Sequence, residues 1–230
     1  MGRSSFAILV LVCFCASTAL AADPKAEAGP IDPEGEIAAL GGQVLRSPGT
    51  GNIMEVKLNG CAGLRDEDLA LVSGYTFLTD LSLERTAITG TGLAHLRKLR
   101  KLEWLNLWKT RVDDKGLVHL AELASLQYLP VGGTRITDAG LENLKGLRAL
   151  LYLGLRDTAI GDAGVARLTA LPVLKEINLR GTGVTDECIN SLIRIKTLRK
   201  LWLGETKISA HGRSRLRAAL PLCLLDLTAD

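Results

Sequence analysis

The pattern L-x-x-[L/I]-x-[L/V]-x-x-T begins at Leu78, Leu102, Leu126, Leu150, Leu174 and Leu198, each copy 24 residues after the last. Its threonines are Thr86, Thr110, Thr134, Thr158, Thr182 and Thr206. Behind each comes x-[I/V], then a turn, then an apolar series at helical spacing. Residues 125–148 (SLQYLPVGGTRITDAGLENLKGLR) show the whole unit. A looser copy starts at Ile53, with Val56, Leu58 and Cys61 in register, and a truncated one (Leu222, Leu225, Leu227) ends the chain. Such a period restricts the fold severely. L-x-L alternates, so it is a short strand with one apolar face. Leu141, Leu144 and Leu147 are three apart and predict a short helix or 3₁₀ turn, with Thr137-Asp138 as N-cap and Gly140 allowing the close turn. One unit cannot cover its own apolar face. Stacked units share a continuous core beneath a parallel sheet, with helices on the convex side. The repeated threonine can bond the backbone of the turn that leaves each strand.

These residues resemble the leucine-rich-repeat family, in particular the ribonuclease-inhibitor-like and F-box-associated subtype with L-T-D-x-G-L-x-x-L after the strand. Similar arrays are common in exported bacterial proteins. The resemblance covers residues 35–230; where the family carries asparagine after the strand, this chain has threonine, or Cys61 in the first copy. It implies an α/β solenoid, a right-handed horseshoe with a parallel concave sheet and short convex helices. It implies no single function, because the family binds many unrelated partners.

The ends read differently. Arg3, the apolar run Phe6 to Ala16, and Ala19-Leu20-Ala21 have the layout of a secretory signal peptide over residues 1–21. The run is short of the ~20 residues that cross a bilayer, so cleavage is favoured over a membrane anchor. Residues 22–34 are rich in Ala, Pro, Gly and acid and read as a disordered spacer. Residues 35–52 form an N-terminal capping segment, with a short helix from Glu36 to Leu40 closed by Gly41-Gly42. Repeats fill 53–221, and 222–230 make a C-terminal capping strand whose edge can pair with another chain. Arg213 takes a slot that is apolar in other copies and places the last helix at a solvated edge. Cys61, Cys188 and Cys223 remain after cleavage; an odd, scattered count reads as buried hydrophobes rather than a disulfide framework, although a Cys188–Cys223 bridge stays open.

Function is sought on the strand positions that point away from the core. The third motif position runs Glu55, Asp80, Trp104, Tyr128, Tyr152, Glu176, Lys200; the fifth includes Pro130, Gly154 and Trp202; the seventh includes Trp108, Gly132, Arg156 and Arg180. All three tryptophans and two of the three tyrosines share this surface. Trp104, Tyr128 and Tyr152 should form one row, and Gly132, Pro130 and Gly154 should leave a depression beside it. The predicted ligand-binding residues are therefore Trp104, Trp108, Tyr128, Tyr152, Arg156, Arg180 and Trp202, types enriched at binding hot spots. Stacking of the rings along the sheet for stability is the competing reading.

No catalytic constellation emerges. No Ser, His and Asp fall in register for a triad. Glu55 and Asp80 are neighbours near glycosidase spacing, yet nothing evident raises one pKa. His95 and His119 share a convex slot without further metal ligands, and no phosphate loop, cofactor motif or F-box-like segment is present. After cleavage 27 Lys and Arg face 25 Asp and Glu, a balance that points to neither nucleic acid nor an anionic membrane. The expectation is a non-enzymatic, secreted or periplasmic scaffold that binds a protein or peptide on the concave face. A glycan-binding module using the aromatic row and a structural envelope spacer are the alternatives.

Overall fold

A computed structural model of the chain describes residues 32–228. The signal-peptide reading, residues 22–31 of the expected spacer and residues 229–230 lie outside them. Nine strands follow in chain order as one sheet: β1 (Gln43–Arg46), β2 (Ile53–Lys57), β3 (Asp80–Ser82), β4 (Trp104–Asn106), β5 (Tyr128–Pro130), β6 (Tyr152–Gly154), β7 (Glu176–Asn178), β8 (Lys200–Trp202) and β9 (Leu224–Asp226). From β2 onward all pairs are parallel. β1 is antiparallel to β2, a hairpin that the repeat could not foretell because β1 lies outside it. The other layer holds α1 (Pro33–Ala39), α2 (Asp114–Leu117), α3 (Asp162–Arg167), α4 (Ile189–Arg194) and α5 (Ala210–Ala219). Elsewhere it is 3₁₀, as at Gly92–Leu96 and Gly140–Leu144.

The alternation works as the sequence implies. Leu81, Leu105, Leu129, Leu153, Ile177 and Leu201, one from each strand β3 to β8, are fully buried in a core that runs the length of the stack. α1 starts at Pro33, inside the expected spacer, because proline suits the first helical turn, where an N–H has no partner to lose. Its Ile37 closes the N-terminal end of the core. At the other end Arg213, on α5, is half-buried.

Each coil leaves its strand in the same way. The residue before the threonine is left-handed in every copy: Arg85, Lys109, Asp157 and Glu205 have φ of 54–57°, and Gly60, Gly133 and Gly181 occupy the same place. The threonine hydroxyl then donates to the carbonyl three residues back, from Thr110 to Leu107 at 2.8 Å and from Thr134 to Val131 at 2.6 Å. That satisfies a polar group which burial would otherwise leave orphaned.

The aspartate four residues after the threonine acts differently from a helix cap. It reaches across to the next coil. Asp114 accepts the Thr137 N–H at 2.8 Å and the Thr137 hydroxyl at 2.6 Å. Asp162 does the same with Thr185, Asp186 with Ser209 and Asp66 with Thr89. Asp138 accepts only the Gly161 N–H, at 2.7 Å, because glycine offers no hydroxyl. Gly140 makes room for this contact rather than for a turn: a Cβ there would overlap the Asp114 carboxylate as it lies here. Gly92, Gly164 and Gly212 face Asp66, Asp138 and Asp186 alike. One rung is missing, since Gly90 stands where aspartate belongs. The backbones close the gap, and a Cβ on Gly90 would lie 2.7 Å from the Gly116 Cα.

Two outcomes follow. Asp114→Ala removes two bonds to a charged acceptor and should cost about 2 kcal/mol in urea unfolding. Gly140→Ala should cost a similar amount by displacing the same carboxylate, so the double variant should fall well short of the sum; full additivity would disprove the shared contact. Acidification gives the second. Burial raises the Asp66 carboxyl, but bonds from Thr89 and Thr91 outweigh it and hold the group below its ordinary 3.8. Bonds from Ser209 lower Asp186 likewise. Lowered native values mean stability that is complete above pH 3.8 and is lost as pH falls below it. Urea midpoints followed from neutral pH through that window should drop, and the Asp66→Asn variant should show a shallower decline.

Candidate functional site

The open face of the sheet carries the predicted residues, and its geometry sorts them into three groups. Register places Trp104 beside Tyr128, and Tyr128 beside Tyr152. The expected row therefore exists at the backbone. Its rings do not form one stack. Among the described residues the one ring–ring contact joins Tyr152 to Trp202, edge to face at 6.0 Å. Tyr152 lies down along its own strand over Gly154, where a Cβ would come within 2.8 Å of its hydroxyl. Burial, the largest influence, pushes its phenol pKa up, against a smaller lowering by Asn178. The Lys200 ammonium sits 4.2 Å from the centre of the Trp202 ring.

The second group centres on Trp108. Its ring covers Gly132, whose Cβ would meet Trp108 Cζ3 at 2.7 Å, and the Arg156 guanidinium lies 5.6 Å from the ring centre. Arg156 also bonds Asp157 at 3.1 Å. The depression expected at Gly132 and Gly154 is thus filled by the protein's own aromatics. The glycines let the rings lie flat.

Trp104 and Tyr128 make the third group. Tyr128 is 42% exposed and Trp104 is half-buried. Arg180, expected as a flanking cation, is a correction: it is only 8% exposed, and its Nη2 and Nε donate to Glu205 at 3.0 and 3.3 Å. Gly204, the equivalent position in the next coil, lets the side chain pack close: a Cβ there would lie 3.5 Å from Arg180 Cγ.

Two structural residues escape notice in the sequence. Asn106, buried on this face, accepts the Trp108 N–H at 2.9 Å and donates to Glu84 at 3.0 Å. Asn178 accepts the Arg180 N–H at 3.0 Å. Both sit at the fifth motif position, two residues before the group they hold, and that recurrence was the available signal. Glu55, the carboxylate weighed for hydrolysis, pairs with Lys57 at 2.8 Å, and Asp80 accepts the Thr79 hydroxyl at 2.7 Å. His119 is half-buried, with its pKa lowered first by burial and then by Arg97. Among the described residues no group of three His, Cys, Asp or Glu is placed to hold a metal. Cys61, Cys188 and Cys223 are buried free thiols. Cys188 stands where most coils have glycine, and its pKa is pushed up to about 12 by burial and Asp162.

Stability should separate these groups. Arg180→Ala removes the two bonds that Arg180 donates to Glu205 and should cost about 1 kcal/mol in urea unfolding, discounted because Glu205 is half exposed. Trp104→Ala and Tyr128→Ala should move the midpoint far less. A Trp104 variant as damaging as Arg180→Ala would make that ring a structural element.

The sequence matches no protein-family model and none of the curated proteins. Solved structures do match. Internalin C2 from Listeria monocytogenes is 21% identical with a TM-score of 0.60, over 76% of this chain and 81% of that one. A plant peptide hormone receptor, RGFR1 in complex with RGF2, is 18% identical with a TM-score of 0.47, over 69% of this chain and 26% of that one. The 24-residue period, the sheet it builds and the architecture shared with the internalin identify the fold as the leucine-rich-repeat solenoid.

Proposed function

We propose that this chain is a binding scaffold rather than an enzyme, acting outside the cytoplasm after removal of residues 1–21, and that a protein or peptide docks on the open sheet face. The observation that carries this reading is the pair Trp104 and Tyr128. They stand side by side on a rigid sheet, outside the ring contact and the glycine seats that hold Tyr152 and Trp108. Trp108 with Arg156, and Tyr152 with Trp202, flank them as fixed shoulders. Rings already held in place lose little freedom on binding, and that is where affinity is gained. Arg180, buried and bonded to Glu205, is left out of the contact surface.

The flat aromatic pair also suits a sugar ring, so a glycan is the second reading. Salt distinguishes the two. A protein partner that uses Arg156 should weaken with ionic strength, whereas saccharide stacking should not. The test is selection of a displayed peptide library, with a glycan array in parallel, on parent chain and on Trp104→Ala/Tyr128→Ala. Loss of a central aromatic anchor is worth about 2 kcal/mol, roughly thirty-fold in Kd. Ligands that bind the double variant as tightly as the parent would place the site elsewhere.

A further inference from the structure

The near-zero net charge conceals a separation between the two flanks of the solenoid. Segments that carry the chain out from the sheet (85–94 and its five equivalents, to 205–214) hold 7 Lys and Arg and 9 Asp and Glu. Segments that bring it back (95–103 and its five equivalents, to 215–223) hold 13 Lys and Arg and only Glu103 and Glu122 as acids. The repeat itself is the cause. The acids of the outgoing flank include Asp114, Asp138, Asp162 and Asp186, which are committed to the next coil. No equivalent demand places carboxylates on the returning flank.

Most of these cations are uncompensated. Arg100 pairs with Glu122, and Lys145 and Arg167 with Glu142. Arg97, Lys98, Arg148, Arg194, Lys196 and Arg217 are exposed and form no ion pair among the described residues. They occupy several columns across the flank, and from Arg97 to Arg217 it runs five repeat steps, about 24 Å. Apolar side chains lie toward each end. Phe77, 44% exposed, has the Lys101 ammonium 3.9 Å from its ring centre. Leu222, 75% exposed, borders a recess of about 150 Å³ that Lys196 and Arg199 also line.

We propose that this returning flank docks on an anionic lipid surface, lying in the interfacial plane without crossing it. Cations spread over a width as well as a length fit a plane of headgroups better than a single thread of charge. Phe77 and Leu222 gain only where an apolar phase lies behind the charge; a soluble polyanion leaves them in water. No helix among the described residues is long and apolar enough to span a membrane, so the contact is a surface one. Clusters of four to eight Lys and Arg are what anionic lipid attracts, at about 1 kcal/mol, or roughly five-fold in partition, for each charge near the surface.

The test is partition onto vesicles of equimolar phosphatidylglycerol and phosphatidylcholine, against phosphatidylcholine alone. It uses the chain from Ala22, which keeps every core residue from Ile37 to Cys223 and lacks the apolar leader. The parent should bind the anionic vesicles only, and less as salt rises. Arg148→Gln/Arg194→Gln/Lys196→Gln/Arg217→Gln should lose nearly three orders of magnitude in partition, roughly 600-fold. Phe77→Ser and Leu222→Ser, made singly and together, should lower partition several-fold while leaving dextran sulfate binding unchanged. Matched thermal midpoints keep folding out of the comparison, and Phe77→Ser alone serves if the Leu222 change loosens the last coil. Equal binding to both vesicle types overturns the proposal. So does a serine pair that partitions like the parent, since the flank would then be a general polyanion site. Trp104→Ala/Tyr128→Ala should partition normally, so failure on the open face and failure here are separable.

Discussion

A carboxylate that bonds forward, from one coil to the next, is the contact on which the stack depends. Apolar burial drives the coils together, and the side-chain bonds between coils add a directional constraint to it. The bond from Asp114 to both the N–H and hydroxyl of Thr137 admits one vertical and one lateral setting. Glycine stands opposite the carboxylate at Gly92, Gly140, Gly164 and Gly212, where a Cβ would crowd it, while the Asp162 rung keeps both bonds with Cys188 in that place. Where Gly90 removes the acid, the chain reaches the same spacing by bringing two glycine backbones together. Backbone pairing in the sheet and the donation of each threonine to its own turn complete the frame. A solenoid is stabilised by neighbour contacts of this kind, so each rung matters locally.

The open face inherits its order from that frame. Strand alternation delivers Trp104, Tyr128 and Tyr152 to adjacent places. What each ring then does depends on the residue two positions on or one coil away. Glycine at 154 and 132 allows Tyr152 and Trp108 to recline. The half-buried Pro130, two residues beyond Tyr128, offers no such seat, and Tyr128 remains exposed. The aromatic surface is thus smaller and stiffer than a row of four free rings.

The ladder also sorts charge. Acids held on one flank serve the backbone, and the other flank carries cations without that duty. Net charge, an average over both, hides this.

The sequence by itself determined the coil. Its 24-residue period fixed the parallel strands, the inward leucines, the threonine bond and the face on which every tryptophan stands, because these follow from periods of two and three along the chain. The antiparallel β1, the start of α1 at Pro33 and the burial of Arg180 were settled only by tertiary structure. So was the path of the aspartate. A cap within one helix and a bridge to the next coil can use the same aspartate, and only the distance between stacked coils decides which bond forms. The same reason covers the glycines beside the aromatics: the sequence shows an empty place, and packing alone shows what fills it.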